Sequence, residues 1–358
     1  MILDRRKASV EDGRQANRIS RAWICEYDSS STSLPAESER VISIRPFQNI
    51  DVPAVCRLWN AHRAELQLSA DLSPLTLEVA VLSRPFFDSR QLLIAREGKA
   101  ALGFVHWMFA AETPDKAVVA NLAVPAGSRR EEVAERLLQA ATEAAAADGA
   151  KTIALGQAPD DWTGYAGAAV HGLGGGIPEC DAAVARWAKQ AGFTPSRQLL
   201  NFLLNTTTYR PAYDRELLTL RRSVTVEHRQ EVTDLPFRLA ASLSHLQLHR
   251  FVAHRRSGES IAEVDLMLGD PEMLIVTSGI ALLIRWTTLP ATPSPANASA
   301  GPAPELRFVL ATAIGQLIGE RITRIEATVD AADTASTALL EQAGFTLDHR
   351  GTIFSRSL

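Results

Sequence analysis

The feature that most constrains this chain is that it repeats itself. Gln190-Ala-Gly-Phe-Thr194 returns as Gln342-Ala-Gly-Phe-Thr346, an offset of 344 − 192 = 152 at the glycine. Asp51-Val-Pro53 matches Asp234-Leu-Pro236, Arg84-Pro85 matches Asp270-Pro271, and Lys151-Thr-Ile153 matches Thr323-Arg-Ile325. The matches keep one order, with offsets of 183, 186, 172 and 152, as expected of a duplicated unit whose second copy has lost residues over its later part. In 358 residues there is room for two such units. The sequence places them at 41–210 and 223–358, joined by Pro211 to Arg222.

Charge and cysteine content narrow the function classes. Lys plus Arg is 37 against 41 Asp plus Glu, a net charge of −4, which argues against generic binding to nucleic acid or anionic membranes. Cys25, Cys56 and Cys180 are odd in number and far apart, so no disulfide framework or zinc ribbon is expected and a reducing cytoplasm fits. The start, Met1-Ile-Leu-Asp-Arg-Arg-Lys7, lacks the apolar core of a signal peptide, and Met273 to Trp286 is too short to span a bilayer. Residues 1–40 carry a Ser/Thr run at 29–33 and one short apolar segment, Ala22 to Cys25. They are expected to be a disordered arm, or sequence upstream of a later start codon.

From Val41 the pattern alternates strand and helix. Val41 to Phe47 reads as a strand, and Asp51 with Pro53 opens a helix carrying Val55, Leu58 and Trp59 on one face. Pro74 opens a second helix that stops before Pro85. Strands follow at Leu92–Ala95, Ala101–Trp107 and Ala117–Val124. From Glu131 a helix with Val133, Leu137, Ala141 and Ala145 on one stripe runs to Asp148-Gly149. A strand at Thr152–Leu155, a long Gly-rich loop, a helix from Asp181 to Gln190 and a strand through Leu204 complete the unit.

This order, with Asn121-Leu-Ala-Val124-Pro125 feeding a helix start and the helix ending in Lys189-Gln-Ala-Gly192-Phe193, resembles the GNAT (Gcn5-related N-acetyltransferase) superfamily. The helix ending recurs at Glu341-Gln-Ala-Gly344-Phe345, so the chain resembles a tandem GNAT protein with a degenerate second domain. The resemblance implies an α/β (α+β) mixed sheet in each copy and acetyl-CoA as co-substrate. It further implies acyl transfer to an amine of a small molecule or peptide, with the two copies packed as an internal pseudo-dimer in a monomer or weak homodimer.

By that resemblance the coenzyme would lie along Leu122, Ala123 and Val124 and against Arg129, Arg130, Glu131, Glu132, Val133 and Ala134. A loop feeding a helix aims unpaired N–H groups and the positive end of the helix dipole at one point, which suits a diphosphate. Arg129 and Ala134 match the family's Gln/Arg-x-x-Gly-x-Gly/Ala run, whereas Glu132 stands at its first glycine and Glu131 precedes it. The tyrosine the family often uses as acid is Ala188 in the first copy and Leu340 in the second. Asn121, His106 and His171 are the candidate catalytic residues, with Glu112, Asp115 and Tyr165 as further substitutes. Asp160, Asp161 and Trp162 are candidates for acceptor binding in a flexible access loop.

In the second copy the corresponding loop, Thr287 to Pro304, is low-complexity and has no basic, glycine-rich cradle. His171-Gly-Leu-Gly-Gly-Gly-Ile-Pro-Glu179 lacks the strand–loop–helix setting of a phosphate loop. His245 and His249, spaced i, i+4 with His254 beyond, could hold zinc, which would make a metal-dependent hydrolase. Leu239, Leu243 and Leu246 instead mark a buried stripe, so exposed histidines and no metal are expected. A catalytically inactive tandem scaffold is the other alternative.

Overall fold

The computed structural model describes residues 41–69, 72–211, 215–230, 235–269, 279–289 and 303–358. The expected arm at 1–40, Asp234, Asp270-Pro271 and most of the low-complexity loop lie outside the described residues. The first repeat runs β1 (Ile42–Pro46), α1 (Val52–Glu65), α2 (Pro74–Leu77), β2 (Leu92–Glu97), β3 (Ala100–Phe109), β4 (Lys116–Ala123) and α3 (Arg130–Ala147). It continues through β5 (Thr152–Leu155), β6 (Ile177–Pro178), α4 (Ala182–Gln190) and β7 (Thr194–Asn205), with α5 (Arg215–Ser223) as the connection. The second repeat contains β8 (Val224–Arg229), α6 (Phe237–Leu243), β9 (Leu246–Arg255), β10 (Ser260–Gly269), β11 (Ile280–Thr288) and α7 (Pro304–Gly319). It ends with β12 (Arg324–Asp330), α8 (Thr334–Gln342) and β13 (Thr346–Ser357).

Among the described residues, thirteen strands form one mixed sheet in the order β1-β2-β3-β4-β5-β13-β7-β12-β11-β10-β9-β8, with β6 on β13. Its centre is a strand exchange. The last strand of the chain, β13, pairs with β5 of the first repeat, and β7 pairs with β12 of the second. Consecutive sequence therefore does not close either half of the sheet.

The first half is buried on both faces. On one face α3 lays Val133, Leu137, Leu138, Ala141 and Ala145 against Val105, Trp107 and Val119. On the other, Val55, Leu58 and Trp59 of α1 cover Phe104, Met108 and Ala120. Alternate residues of β3 thus enter different cores, and each fully buried Leu or Phe contributes about 1.5–3 kcal/mol. Asp51 sits at the N-cap position of α1 without capping it. Its carboxylate instead accepts from the Gln48 N–H and pairs with Arg45 and Arg96, because two guanidiniums outcompete a helix N–H for it.

The repeat extends to strand register. In β4, His106 pairs with Asn121 and Trp107 with Val119, leaving Ala120 as an extra, bulged residue. In β11, Asp265 pairs with Arg285 and Leu266 with Leu283, leaving Ile284 bulged. Each bulge ends a four-residue parallel ladder, Lys116–Val119 with β5 and Ile280–Leu283 with β12. One proposed sequence match does not fit this topology. Arg84-Pro85 precedes β2, whereas Asp270-Pro271 follows β10, so those two dipeptides are not counterparts.

Candidate functional site

Where the β4 bulge ends the ladder, Gly156 N–H donates to the Val119 carbonyl (3.1 Å) and β4 runs on through Ala120–Ala123 with no strand on that side among the described residues. A bulge bends its strand and re-aims the next residues. The gap it leaves is a cavity of about 330 Å³, walled by Val119 to Ala123, by Trp59, His62 and Arg63 of α1, by Gln157, Gly172, Gly175 and Gly176, and by Asp348 and His349 of β13. Of the sequence candidates, Leu122, Ala123, Asn121 and His171 reach it. Asn121 Nδ2 is buried, with no partner at hydrogen-bond geometry among the described residues.

The helix start next to the cavity is internally neutralised. Arg129 bonds Glu132 through Nε (2.9 Å) and Nη2 (2.9 Å) and reaches Glu97 through Nη1 (2.6 Å). Arg130 donates to the Val124 carbonyl (2.8 Å), pairs with Glu65 (3.1 Å) and lies over the Trp187 ring at 5.2 Å. Glu131 accepts from the Trp187 indole and from Arg186, each at 2.5 Å. The Ala126 N–H is held by Glu65 (2.6 Å). His62 completes the seam, with Nδ1 3.1 Å from the Val124 carbonyl and Nε2 2.9 Å from Asp181 at the start of α4. Ion pairs and hydrogen bonds therefore tie α1, α3 and α4 together across the end of β4. Val133 and Ala134 are buried in the core beneath them.

Several sequence candidates have structural roles. His106 is fully buried on β3, bonds Tyr165 OH through Nδ1 (2.7 Å), and is pushed by burial down to about 3. Tyr165 stacks on Trp59 at 5.5 Å, and burial raises its hydroxyl above the ordinary range. Neither lines the cavity. Asp115 pairs with exposed Lys151, Glu112 is exposed, and both stand away from the gap. Asp161 caps the Ala158 N–H and pairs with Lys116, Asp160 pairs with Arg197, and the Trp162 carbonyl accepts from Ser242.

The long loop is packed rather than an open access loop. Tyr165, Ala166, Ala168 and Ala169 are each at most 3% exposed. A Cβ on Gly174, whose φ is +141°, would lie 2.3 Å from the Ala158 carbonyl carbon. Close backbone approach is what the glycine run permits. The i, i+4 histidines also fall differently from expectation: β9 starts at Leu246, so they share no helix, and His245 and His249 are buried. His245 bonds the Ala166 carbonyl (2.6 Å), His249 bonds His228 (3.1 Å) and His254 bonds Ser260 (3.0 Å), so the three do not converge. The buried leucine stripe continued into a strand, which carries its histidines inward.

Sequence reasoning missed the polar wall opposite β4. In β13, Leu347 pairs with Phe202 and His349 with Asn201, so Asp348 is a bulged residue. The Asp348 carboxylate lies 2.8 Å from His349 Nδ1 and 3.4 Å from His171 Nε2. His171 beside it holds that carboxyl down at about 2. The His171 N–H donates to Glu326 (2.7 Å), whose own carboxyl burial pushes up. A signal was present: the repeat position of Asp348-His349 in the first copy is Ser196-Arg197, a change of chemistry at an otherwise matched strand. Arg63 was also missed. It bonds the Ser69 carbonyl (2.6 Å), lies 5.7 Å from the Trp59 ring centre, and is lowered by burial to about 10.

The second repeat has the same bulge, with different side chains around it. Asp265, fully buried at the position matching His106, receives Arg250 (2.8 and 3.0 Å) and Arg285 (2.9 and 2.7 Å). Trp286, matching Leu122, donates its indole N–H to Ser336 of α8 (3.0 Å). Leu122 and Val184, the corresponding pair in the first repeat, both line the cavity. Trp286 thus stands, in the second repeat, where Leu122 lines the cavity of the first.

No protein-family model matches the sequence, and no curated protein matches it. Solved structures do match in three dimensions. A tandem GNAT protein from the clavulanic acid biosynthesis pathway aligns over 88% of this chain and 98% of its own, at 13% identity and a TM-score of 0.59. A GCN5-related N-acetyltransferase from Sphaerobacter thermophilus aligns over 88% and 95%, at 15% identity and a TM-score of 0.60. The glucosamine N-acetyltransferase region of a fungal multi-domain beta-N-acetylglucosaminidase aligns over 89% of this chain and 38% of that one, at 13% identity and a TM-score of 0.64. At these identities the likeness concerns architecture, and with the doubled bulge and split ladder it establishes that this chain has the tandem GNAT fold.

Proposed function

We propose that the first repeat is an acyl-CoA-dependent N-acyltransferase that uses acetyl-CoA to acylate an amine of a small molecule or peptide in the cytoplasm. The observation that carries this reading is the unpaired β4 edge, Ala120–Ala123, opening into a cavity beside a helix start. Backbone N–H groups on such an edge can polarise a thioester carbonyl, and a confined cavity holds donor and acceptor at reacting distance. Arg63 on the cavity wall forms no ion pair among the described residues, so an acceptor bearing a carboxylate or phosphate fits. The buried Asp265–Arg250 pair and the Trp286–Ser336 bond support a packing role for the second repeat, within a monomer that is its own pseudo-dimer.

A second reading, a tandem scaffold without catalysis, is favoured by the seam at the start of α3. Glu65, Glu97, Glu131 and Glu132 are matched there by Arg129, Arg130, Arg136 and Arg186, leaving no net charge for a diphosphate. Thermal unfolding with and without acetyl-CoA separates the two. At a concentration 100 times Kd, binding adds ~2.7 kcal/mol of stability. A shift in the parent chain, increased in Glu132→Gly, supports the transferase. A shift only in Glu132→Gly identifies a lapsed coenzyme seat, and none in either overturns the coenzyme reading.

A further inference from the structure

The geometry points to a divalent transition-metal site in the cavity wall, with His171, Asp348 and His349 as ligands. One ligand atom from each residue lies within 4.8 Å of the other two. The donors come from distant segments: His171 from the loop of the first repeat, the other two from the exchanged strand β13. In a regular strand, residues 348 and 349 would face opposite sides. The bulge at Asp348 turns both toward the cavity, where both line the wall.

His171 supplies the independent observation. Its side chain is 3% exposed and lines the cavity, its Nδ1 has no hydrogen-bond partner among the described residues, and its Nε2 reaches only the Asp348 carboxylate, at 3.4 Å. A buried polar group left unpaired costs ~1–3 kcal/mol, so such a ring calls for something to bind it. Its backbone is fixed in place by the bond to Glu326 and holds a left-handed φ of 54°. The rings of His171 and His349 meet edge to face with centres 5.0 Å apart, and each brings a nitrogen within 3.4 Å of the Asp348 carboxylate.

Two imidazoles and one carboxylate form the three-ligand set of open zinc sites and of non-haem iron(II) sites, both of which leave a coordination position for an outside molecule. Here that position would face the cavity, on the side opposite β4. The strand exchange gives the second half of the sheet β7 instead of β13, and β7 carries Ser196 and Arg197 where β13 carries the aspartate and histidine.

The test uses the full chain, stripped with a chelator and dialysed to equilibrium against Zn2+ or, without oxygen, Fe2+, followed by elemental analysis. One equivalent of one metal per chain is expected. His171→Ala and Asp348→Asn should each weaken retention at least tenfold, while His245→Gln and His254→Gln retain it. Asp348→Asn preserves shape at a half-exposed position and guards against misfolding as the explanation. With Co2+ in place of Zn2+, the visible absorption should change between the parent chain and His349→Gln. No retention by the parent, or equal retention in the His171 and Asp348 variants, overturns the site. No acyl donor is present in these measurements, so their failure is distinct from failure of the coenzyme reading.

Discussion

His106 makes the fold sensitive to acid in a way that can be calculated. It is fully buried, bonded only to Tyr165 through Nδ1, and its Nε2 has no partner. Burial lowers its pKa from 6.5 to about 3, and His245 is lowered to about 4 for the same reason. Below pH 6.5 the unfolded chain binds protons at these sites and the folded chain does not, so stability falls as pH drops through 6.5 toward 3–4. At 1.36 kcal/mol per pH unit, going from pH 7 to pH 5 costs about 2 kcal/mol for each histidine. His106→Gln removes the titration and keeps a group able to bond Tyr165. Urea unfolding of the parent and the variant at both pH values should show the variant losing about 2 kcal/mol less than the parent. Equal losses in the two chains would refute the assignment of acid sensitivity to burial at this site.

Two further perturbations test the packing that positions the cavity. A Cβ on Gly351 of β13 would lie 1.8 Å from the Gly175 carbonyl oxygen, so Gly351→Ala should destabilise by about 3 kcal/mol or more. By contrast Gly315→Ala, in α7 with nothing within 4 Å, should stabilise by about 0.5–1 kcal/mol in the same denaturant assay. Asp265→Ala leaves buried Arg250 without its carboxylate and should cost about 3–5 kcal/mol by chemical unfolding, with no effect on metal retention at His171.

Much of this molecule was legible along the chain. The Gln-Ala-Gly-Phe-Thr repeat exposed the duplication, and the boundaries of α3, β5, α4 and β7 follow from stripes, breakers and caps that act within a few residues. The acids at the start of α3 were also visible, and so was the absence of tyrosine at Ala188 and Leu340. Which strand pairs with which was not visible. Exchange of β7 and β13 between the two repeats leaves the helix stripes and turns on either side of them unchanged, so nothing local records it.

The candidate site shows the same division. Sequence by itself determined that two related units follow one another and that Leu122 and Ala123 end a central strand beside a helix start. Only tertiary structure decided that Glu131 would bridge to Trp187, that His106 would be sealed away, and that Asp348 would meet His171, 177 residues earlier in the chain. Helix stripes and turns depend on neighbours a few bonds away and so are written locally. A cavity wall depends on bulges and strand order, which arise from the balance of packing over the whole sheet.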